Sequence, residues 1–422
     1  MSRKGTDSNI AACYHFFTSQ FEGNKMKFKH LNLKYTVLTC GFILQSIATY
    51  GFSYNYLTQR GFEDGPTGIV LALFNLLAIF IAPAAGDLVD RYPQITQKRF
   101  ISGSFIVSVL LAMLMSVMPD SPALIAPAAV ISFACASATM PLIYSMAFDY
   151  EEFGGHINYG LCRGIGSLSY AIGSTILGRL WAAYGYGSFT AWMLVTICIA
   201  LIGCWLMPEA PTPLEQQAHD GNDPDENEPI SITQFFSTYP ATIGVLIALV
   251  LLFTSHCFVN NYMGAILGQF VPPAEIERIQ GNALFIQAIV ELPTMACFSF
   301  IAKKFSTRKI MAFASIAWTV KHVLVMLAHT IPLFYFTMIL QMFSFAAITP
   351  AMVFYANEQV DEADRNKSQG IFAASISTGA VLANLAGGLI IQLASVQTGL
   401  LVGSIVSTLG TVLMLFSLRK GR

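Results

Sequence analysis

Apolar residues recur in long runs along nearly the whole chain, each near the ~20 residues a helix needs to cross a hydrocarbon core of about 30 Å. They fall at 33–56, 66–86, 100–118, 121–148, 158–184, 188–207, 241–269, 279–302, 310–329, 331–356, 368–392 and 396–417. The pattern predicts an all-α integral membrane protein of about twelve transmembrane helices; the 121–148 run is the hardest to delimit. One long stretch breaks the series. Residues 208–240 hold seven acids and several prolines, and neither Lys nor Arg. Such a segment buries too little apolar surface to offset the entropy of ordering it and is expected to stay solvated. It divides the chain into an N-terminal segment 1–32, a six-helix bundle 33–207, the acidic linker, a second six-helix bundle 241–417 and a short tail 418–422.

Composition agrees with lipid as the solvent. Charged residues make up 11% of the 422 positions, against roughly 25% in soluble chains. Residues 1–32 are polar and aromatic, with Lys25, Lys27, Lys29 and then Lys34 leading into the first run, so no cleavable leader is expected. The eight cysteines have no paired spacing and read as small apolar residues, which points to neither a disulfide frame nor a metal site. A net charge of -1 gives no reason to expect nucleic acid as a partner.

Positive charge orients the helices. If the runs alternate in direction, eighteen of the 23 basic residues fall on one side, including Arg91, Lys98, Arg99, Lys303, Lys304, Arg308 and Lys309. The opposite side has Arg60 and Arg278 alone. This bias predicts cytoplasmic termini in a plasma membrane of the bacterial inner-membrane type.

Ionisable groups inside a membrane are costly and each is a functional candidate. Glu291 is the one acid near the middle of a run; Arg163, Arg179 and Lys321 are the basic residues within runs, with His256 and His322 at run centres. A carboxylate at that depth can bind a proton, pair with a cation or accept hydrogen bonds from hydroxyls, and a structural ion pair with Lys321 is the alternative. Arg163 lies about one and a half turns into the fifth run among glycines, where a planar fork of donors suits vicinal hydroxyls or a carboxylate; snorkelling to headgroups is the alternative. Arg179, near the outer end, reads as an anchor. Lys321 and His322 diverge by about 100° on a helix, and Lys321 is expected to face inward. His256 and Asn260 are four apart and share a face. With Asn261, Asn55, Asn75, Gln45, Gln287, Thr294, Gln341 and Asn384, they suggest a wet central cavity. Pro293 and Pro350 interrupt the eighth and tenth runs.

Gly86-Asp87-Leu88-Val89-Asp90-Arg91, followed by Lys98-Arg99, joins the second and third runs. It resembles the loop signature of the major facilitator superfamily, and Ala302 to Lys309 is a degraded copy at the equivalent place in the second half. Gly86, Asp90, Arg91 and Arg99 are the expected gating group, a breakable latch of a carboxylate beside arginines. Tyr159-Gly160, Arg163, Gly166-Ser167 and Tyr170 resemble the fifth-span pattern of the oligosaccharide–proton and nucleoside–proton symporter branch, lactose-permease-like and phenylpropionate-permease-like. The resemblance implies two rocking six-helix halves around a mid-membrane site. It gives Arg163 the solute hydroxyls and Tyr170 the stacking surface, and Val290-Glu291-Leu292-Pro293-Thr294 is similar to the segment whose acid and next polar group bind sugar. Lys321 stands where the branch has an arginine near the proton site. The sequence also departs from the pattern. Ser145 stands where an acid partners the arginine, with Asp149 one turn on, and Gln341 and Ser344 stand where the sugar permeases carry a proton relay.

The expected function is proton-coupled (or sodium-coupled) uptake of a small polar solute, an oligosaccharide, glycoside or nucleoside, by a monomer without cofactors. Arg163, Tyr170, Glu291, Thr294, Asn260 and Asn261 are the expected solute-binding residues, and Glu291, Lys321 and His322 the coupling group. Three other readings stay open: an uncoupled facilitator, a metabolite exporter, or a non-transporting receptor of the same fold. An enzyme is the least expected, since no nucleophile–base pair, metal-ligand spacing or phosphate loop stands out.

Overall fold

The computed structural model describes residues 30–92, 94–150, 155–209, 231–361 and 364–420, and every regular element among them is helical. The first span is α1 (Leu31–Ser46), a π-helical stretch Ile47–Phe52 and α2 (Ser53–Gln59). Then follow α3 (Asp64–Arg91), α4 (Gln97–Val117), α5 (Pro122–Ala138) prolonged by α6 (Met140–Ser145), α7 (Tyr159–Tyr184) and α8 (Gly187–Leu206). After a short α9 (Ile232–Thr238), the second half runs α10 (Ala241–Asn261) with α11 (Met263–Leu267), then α12 (Ile276–Ala296) with α13 (Phe298–Lys304). It ends with α14 (Thr307–Met326), α15 (Ile331–Ile339), a 3-10 turn Leu340–Met342, α16 (Phe345–Glu358), α17 (Arg365–Leu393) and α18 (Val396–Lys420).

Among the described residues nine helices are long and apolar enough to cross a membrane, and the bent pair α12–α13 makes a tenth. The two remaining long stretches, 31–59 and 159–184, fall outside that set. Both line the central cavity described below, and α7 carries Arg163 and Arg179 among five glycines. Their polarity belongs to the site. The breaks have local causes. Pro293 withholds a backbone donor and crowds the preceding turn, and α12 and α13 meet at a 51° bend around Cys297. Gly185 closes α7 with φ 75, a left-handed conformation that a Cβ would strain. The end of the acidic segment is ordered, against the sequence expectation for 208–240: Ser231 caps α9, Phe235 is fully buried and the Tyr239 hydroxyl donates to Asp364 at 2.7 Å. Residues 210–230 lie outside the described residues.

Between the halves, α7 packs along α12 and α3 along α17, and each pair crosses at glycines near one end. A Cβ on Gly178 would stand 2.4 Å from the Glu277 carbonyl oxygen, and one on Gly281 2.4 Å from the Ser174 carbonyl oxygen. On Gly68 it would stand 2.4 Å from the Asn384 carbonyl oxygen. Small residues let helices approach this closely where lipid supplies no hydrophobic drive to association. At the other ends of the same helices, Gly86, Gly164 and Gly370 have nothing within 4 Å. The halves are closed together at one end, and among the described residues every hydrogen bond between them falls there and none at the end carrying the basic connections.

Within the first half, Arg60 ties the end of α2 to the end of α4 and the turn that follows it, at the closed end. Its guanidinium donates to the Tyr56 hydroxyl at 2.8 Å and to the carbonyls of Met115 at 2.9 Å and Met118 at 2.7 Å, and it pairs with Asp120. The side chain is 3% exposed, so Arg60→Leu would strand buried acceptors. Each costs about 1–3 kcal/mol, so the variant is expected to lose roughly 3 kcal/mol of stability, read as a lower melting temperature in detergent with solute binding kept in the surviving fraction.

Candidate functional site

A cavity of ≈ 350 Å³ lies between the halves, within the range of about 300–1,000 Å³ usual for small-molecule sites. The first half supplies aromatic rings and one cation: Tyr50, Tyr144, Arg163, Ser167 and Tyr170. The second supplies amides, an imidazole and one acid: His256, Asn260, Gln287, Glu291 and Gln341, with Phe345 beneath. A solute here would touch an aromatic, basic wall on one side and an acceptor-rich wall on the other.

The chemistry follows from two chains of hydrogen bonds. In the first, Lys321 Nζ donates to Gln341 Oε1, and Gln341 Nε2 donates to Glu291 Oε1 at 2.8 Å. The expected alternative of a direct Glu291–Lys321 ion pair is not what forms; an amide stands between, and Lys321 is fully buried behind it. In the second, Gln287 Nε2 donates to Asn260 Oδ1 at 3.1 Å and Asn260 Nδ2 lies 2.9 Å from His256 Nε2. With the Asn260 amide as donor there, the imidazole accepts on Nε2 and carries its proton on Nδ1. His256 stacks on Phe345 at 4.8 Å between centroids. Across the cavity the Arg163 guanidinium sits over the Tyr144 ring, 5.3 Å from its centroid. No acceptor among the described residues hydrogen-bonds that guanidinium. Among the described residues neither a carboxylate nor a carbonyl satisfies its fork of donors.

Of the residues singled out from sequence, Arg163, Tyr170, Asn260 and Glu291 line the cavity together, and Lys321 reaches it through Gln341. Three others sit elsewhere. Asn261 donates to Asn384 Oδ1 at 2.7 Å and ties α10 to α17. Thr294, one turn beyond Glu291, lines a separate lateral cleft beside the α12–α13 bend. His322 points away from Lys321, as the 100° offset requires: its Nδ1 lies 2.8 Å from the Trp318 carbonyl and its ring stacks on Trp318. In the gating group, Gly86 faces open space, Arg91 is exposed, and Arg99 donates to the Gln94 carbonyl at 2.6 Å. The Asp90 side chain lies outside the described residues. Among the described residues no carboxylate pairs with Arg91 or Arg99.

Tyr144 and Phe345 are site residues that sequence reasoning missed; Gln287 was read only as one of several polar groups in the spans, and Gln341 as that and as the place where the resembled permeases carry part of a proton relay. Tyr144 is one residue before Ser145, the position where an acid was sought for Arg163. The partner of Arg163 is thus a ring face, a cation–π contact, rather than a carboxylate.

The closed end is held by amides. Asn55 Nδ2 donates to Glu277 Oε1 at 3.1 Å and to Gln280 Oε1 at 3.0 Å, and Gln59 Nε2 donates to Glu277 Oε1 at 2.8 Å. Gln280 Nε2 donates to the Gly51 carbonyl within the π-helical stretch, and Gln392 Nε2 donates to Glu63 Oε2 at 2.6 Å. Each of these bonds crosses between halves, and no ion pair does so there among the described residues.

Comparison with known proteins gives the architecture a name. The chain is similar to the crystal structure of the nucleoside transporter NupG, with a TM-score of 0.76 at 15% identity over 92% of this chain and 99% of that one. It is also similar to a POT family transporter in complex with 5-aminolevulinic acid, with a TM-score of 0.67 at 10% identity over 91% and 95% of the two chains. A POT peptide transporter in complex with alafosfalin gives a TM-score of 0.65 at 9% identity over 94% of each. No curated relative matches. At these identities the likeness carries the fold. A model of the MFS_1-like family matches residues 48–401, most of the chain, and the protein therefore belongs to that family of the major facilitator superfamily, whose members are membrane transporters rather than enzymes.

Proposed function

We propose that the protein is a proton-coupled symporter that takes up a small hydroxyl-bearing solute, a nucleoside, glycoside or oligosaccharide, by alternating access. The observation that carries this reading is the opposition, across one cavity, of an unsatisfied Arg163 guanidinium and the Glu291–Gln341–Lys321 chain. A polyol or sugar ring fits such a pair: vicinal hydroxyl oxygens accept from the guanidinium fork, hydroxyl protons donate to the carboxylate, and Tyr144 or Tyr170 offers a face to the ring. The nucleoside transporter among the structural neighbours is compatible with this class, although the class rests on the cavity.

Coupling is assigned to Glu291. Ionised, it is a buried acceptor held by Gln341; protonated, it gains a donor and sheds its charge, which makes reorientation of a loaded cavity through the membrane less costly. Lys321 sets the electrostatics from behind the amide. Asn260 with Gln287 and His256 fixes the floor and orients the solute. The open end faces the cytoplasm under the positive-inside rule, with both termini there, in a plasma membrane of the bacterial inner-membrane type, and the monomer is sufficient because one chain supplies the whole cavity.

The test is external alkalinisation in lightly buffered vesicles on addition of saccharides and nucleosides in turn. Alkalinisation with one class is expected. Saturable binding of one compound without any proton movement would sink the coupling and leave a facilitator or a sodium symporter. Arg163→Lys retains charge but loses the fork, and is expected to weaken solute binding about 10- to 100-fold, the span of one or two charge-assisted hydrogen bonds. Unchanged affinity, measured by calorimetry on purified protein, would remove Arg163 from the site.

A further inference from the structure

A second cavity, outside the transport path, opens sideways on the second half. It measures ≈ 710 Å³ and lies where three helices part: the α12–α13 bend, the first turns of α14, and the break between α15 and α16. Its wall is apolar, with Ile301, Phe305, Phe313, Met342 and Phe343 prominent. Phe305 is 49% exposed and Phe313 57%, so the cleft communicates with the helices' outer surface, which in a membrane is acyl chain. From Thr294 to Phe305 the lining runs about 16 Å at 1.5 Å per helical residue, the reach of most of a long acyl chain.

The mouth is cationic. Lys309 lines the cleft itself and shares a helix face with Phe313 four residues on. Lys304 stands over the Phe305 ring at 5.9 Å, and Lys303 over that of Phe300 at 5.9 Å. All three lysines are exposed, and no carboxylate among the described residues pairs with them. Glu358, at the end of α16, accepts from the Thr307 hydroxyl at 2.5 Å. A tail-length apolar slot ending in unpaired ammonium groups has one chemical complement in a bilayer, a lipid with a negative headgroup.

We propose that this cleft is a binding site for one anionic glycerophospholipid of the leaflet at the basic end, an acyl chain lying between the α12–α13 bend and Phe313–Phe343 and its phosphate held by Lys309 and Lys304. The site is independent of the transport reading, since none of these groups lines the central cavity. It puts a lipid against the bend of the helix that carries Glu291.

The experiment reconstitutes the full chain in phosphatidylcholine vesicles containing a minor share of phosphatidylglycerol with a photoactivatable group on one acyl chain, and maps the adducts by peptide mass spectrometry. Adducts are expected to concentrate in 294–313 and 342–347 and to be competed by unlabelled phosphatidylglycerol. Lys304→Gln with Lys309→Gln is expected to lower them about ten-fold, from the loss of two cations near an anionic headgroup. Both lysines are exposed, so the variant keeps the wild-type melting temperature, which is measured alongside. Adducts spread evenly over the lipid-facing helices, equal labelling by a photoactivatable phosphatidylcholine, or labelling indifferent to the two substitutions would each overturn the proposal.

Discussion

Glu291→Gln is expected to abolish accumulation of solute against its gradient, and the pH dependence of uptake with it, while binding and downhill exchange survive. Glutamine keeps the length of the side chain and an Oε1 that can accept from Gln341 Nε2, the bond now made at 2.8 Å. What it removes is the proton. The variant is frozen in the neutral form that, in the proposed cycle, binds solute and reorients, so affinity should stay within a few-fold. Accumulation driven by an imposed proton gradient should fall to background. Glu291→Ala separates the two roles: it also removes the acceptor for a solute hydroxyl, worth about 1–3 kcal/mol, so binding itself should weaken about 5- to 150-fold. Both are read in vesicles, with and without a pH gradient. Accumulation that persists in Glu291→Gln with its pH profile intact would place coupling elsewhere.

The second large effect is expected at the glycine crossing. Gly281→Trp asks the α7–α12 contact to admit an indole where even a Cβ would stand 2.4 Å from the Ser174 carbonyl. The neighbouring atoms are backbone, which cannot rotate aside, so the closed end must part. Transport should drop to near background because the cycle cannot return to the closed state. The protein should still fold and bind, since the cavity walls are untouched. Alkylation of a cysteine placed at Gln280 or Asn55, buried now between the halves, should rise several-fold from the external side. Full transport with unchanged labelling would show that the crossing is not the seal. Gly68→Trp provides a second, independent seal to force, at the α3–α17 crossing.

How much of this was legible beforehand follows the range of the interactions. Spans were legible because length and apolarity are properties of one segment. Glu291 stood out because an acid at membrane depth is anomalous on its own. The His256–Asn260 contact was legible because it is four residues apart on one helix, and it forms at 2.9 Å. Gln341 was not legible as the link from Lys321 to Glu291, because its partners are 20 and 50 residues away and an amide in a span is unremarkable alone. Thr294 was misplaced for a related reason: pairing it with Glu291 one turn earlier ignored the angle between adjacent turns, which sends the hydroxyl toward the lateral cleft. The closed end escaped altogether. Glu277 looked like an acid at the edge of a span, and nothing local announces that Asn55 and Gln59, more than two hundred positions earlier, meet it.

The π-helical stretch belongs to the same class. Widening the turn at Ile47–Phe52 sets the Gly51 carbonyl free to accept from Gln280. Its sequence, Ile-Ala-Thr-Tyr-Gly-Phe, gives no sign of it.

That the closed end is sealed by amides has an electrical consequence. A membrane potential does about 2.3 kcal/mol of work per 100 mV on each elementary charge moved across it, and a gate built of lysine–carboxylate pairs would answer to voltage as well as to solute. Here the donors across the seam are Asn55, Gln59, Gln280 and Gln392, all neutral. Parting them breaks no pair of opposite charges, and the charged groups at the seam are the acceptor carboxylates of Glu277 and Glu63. The slope of transport current against voltage in a reconstituted membrane should then report on charge carried in the cavity together with those two carboxylates, and Glu63→Gln with Glu277→Gln should separate the two contributions.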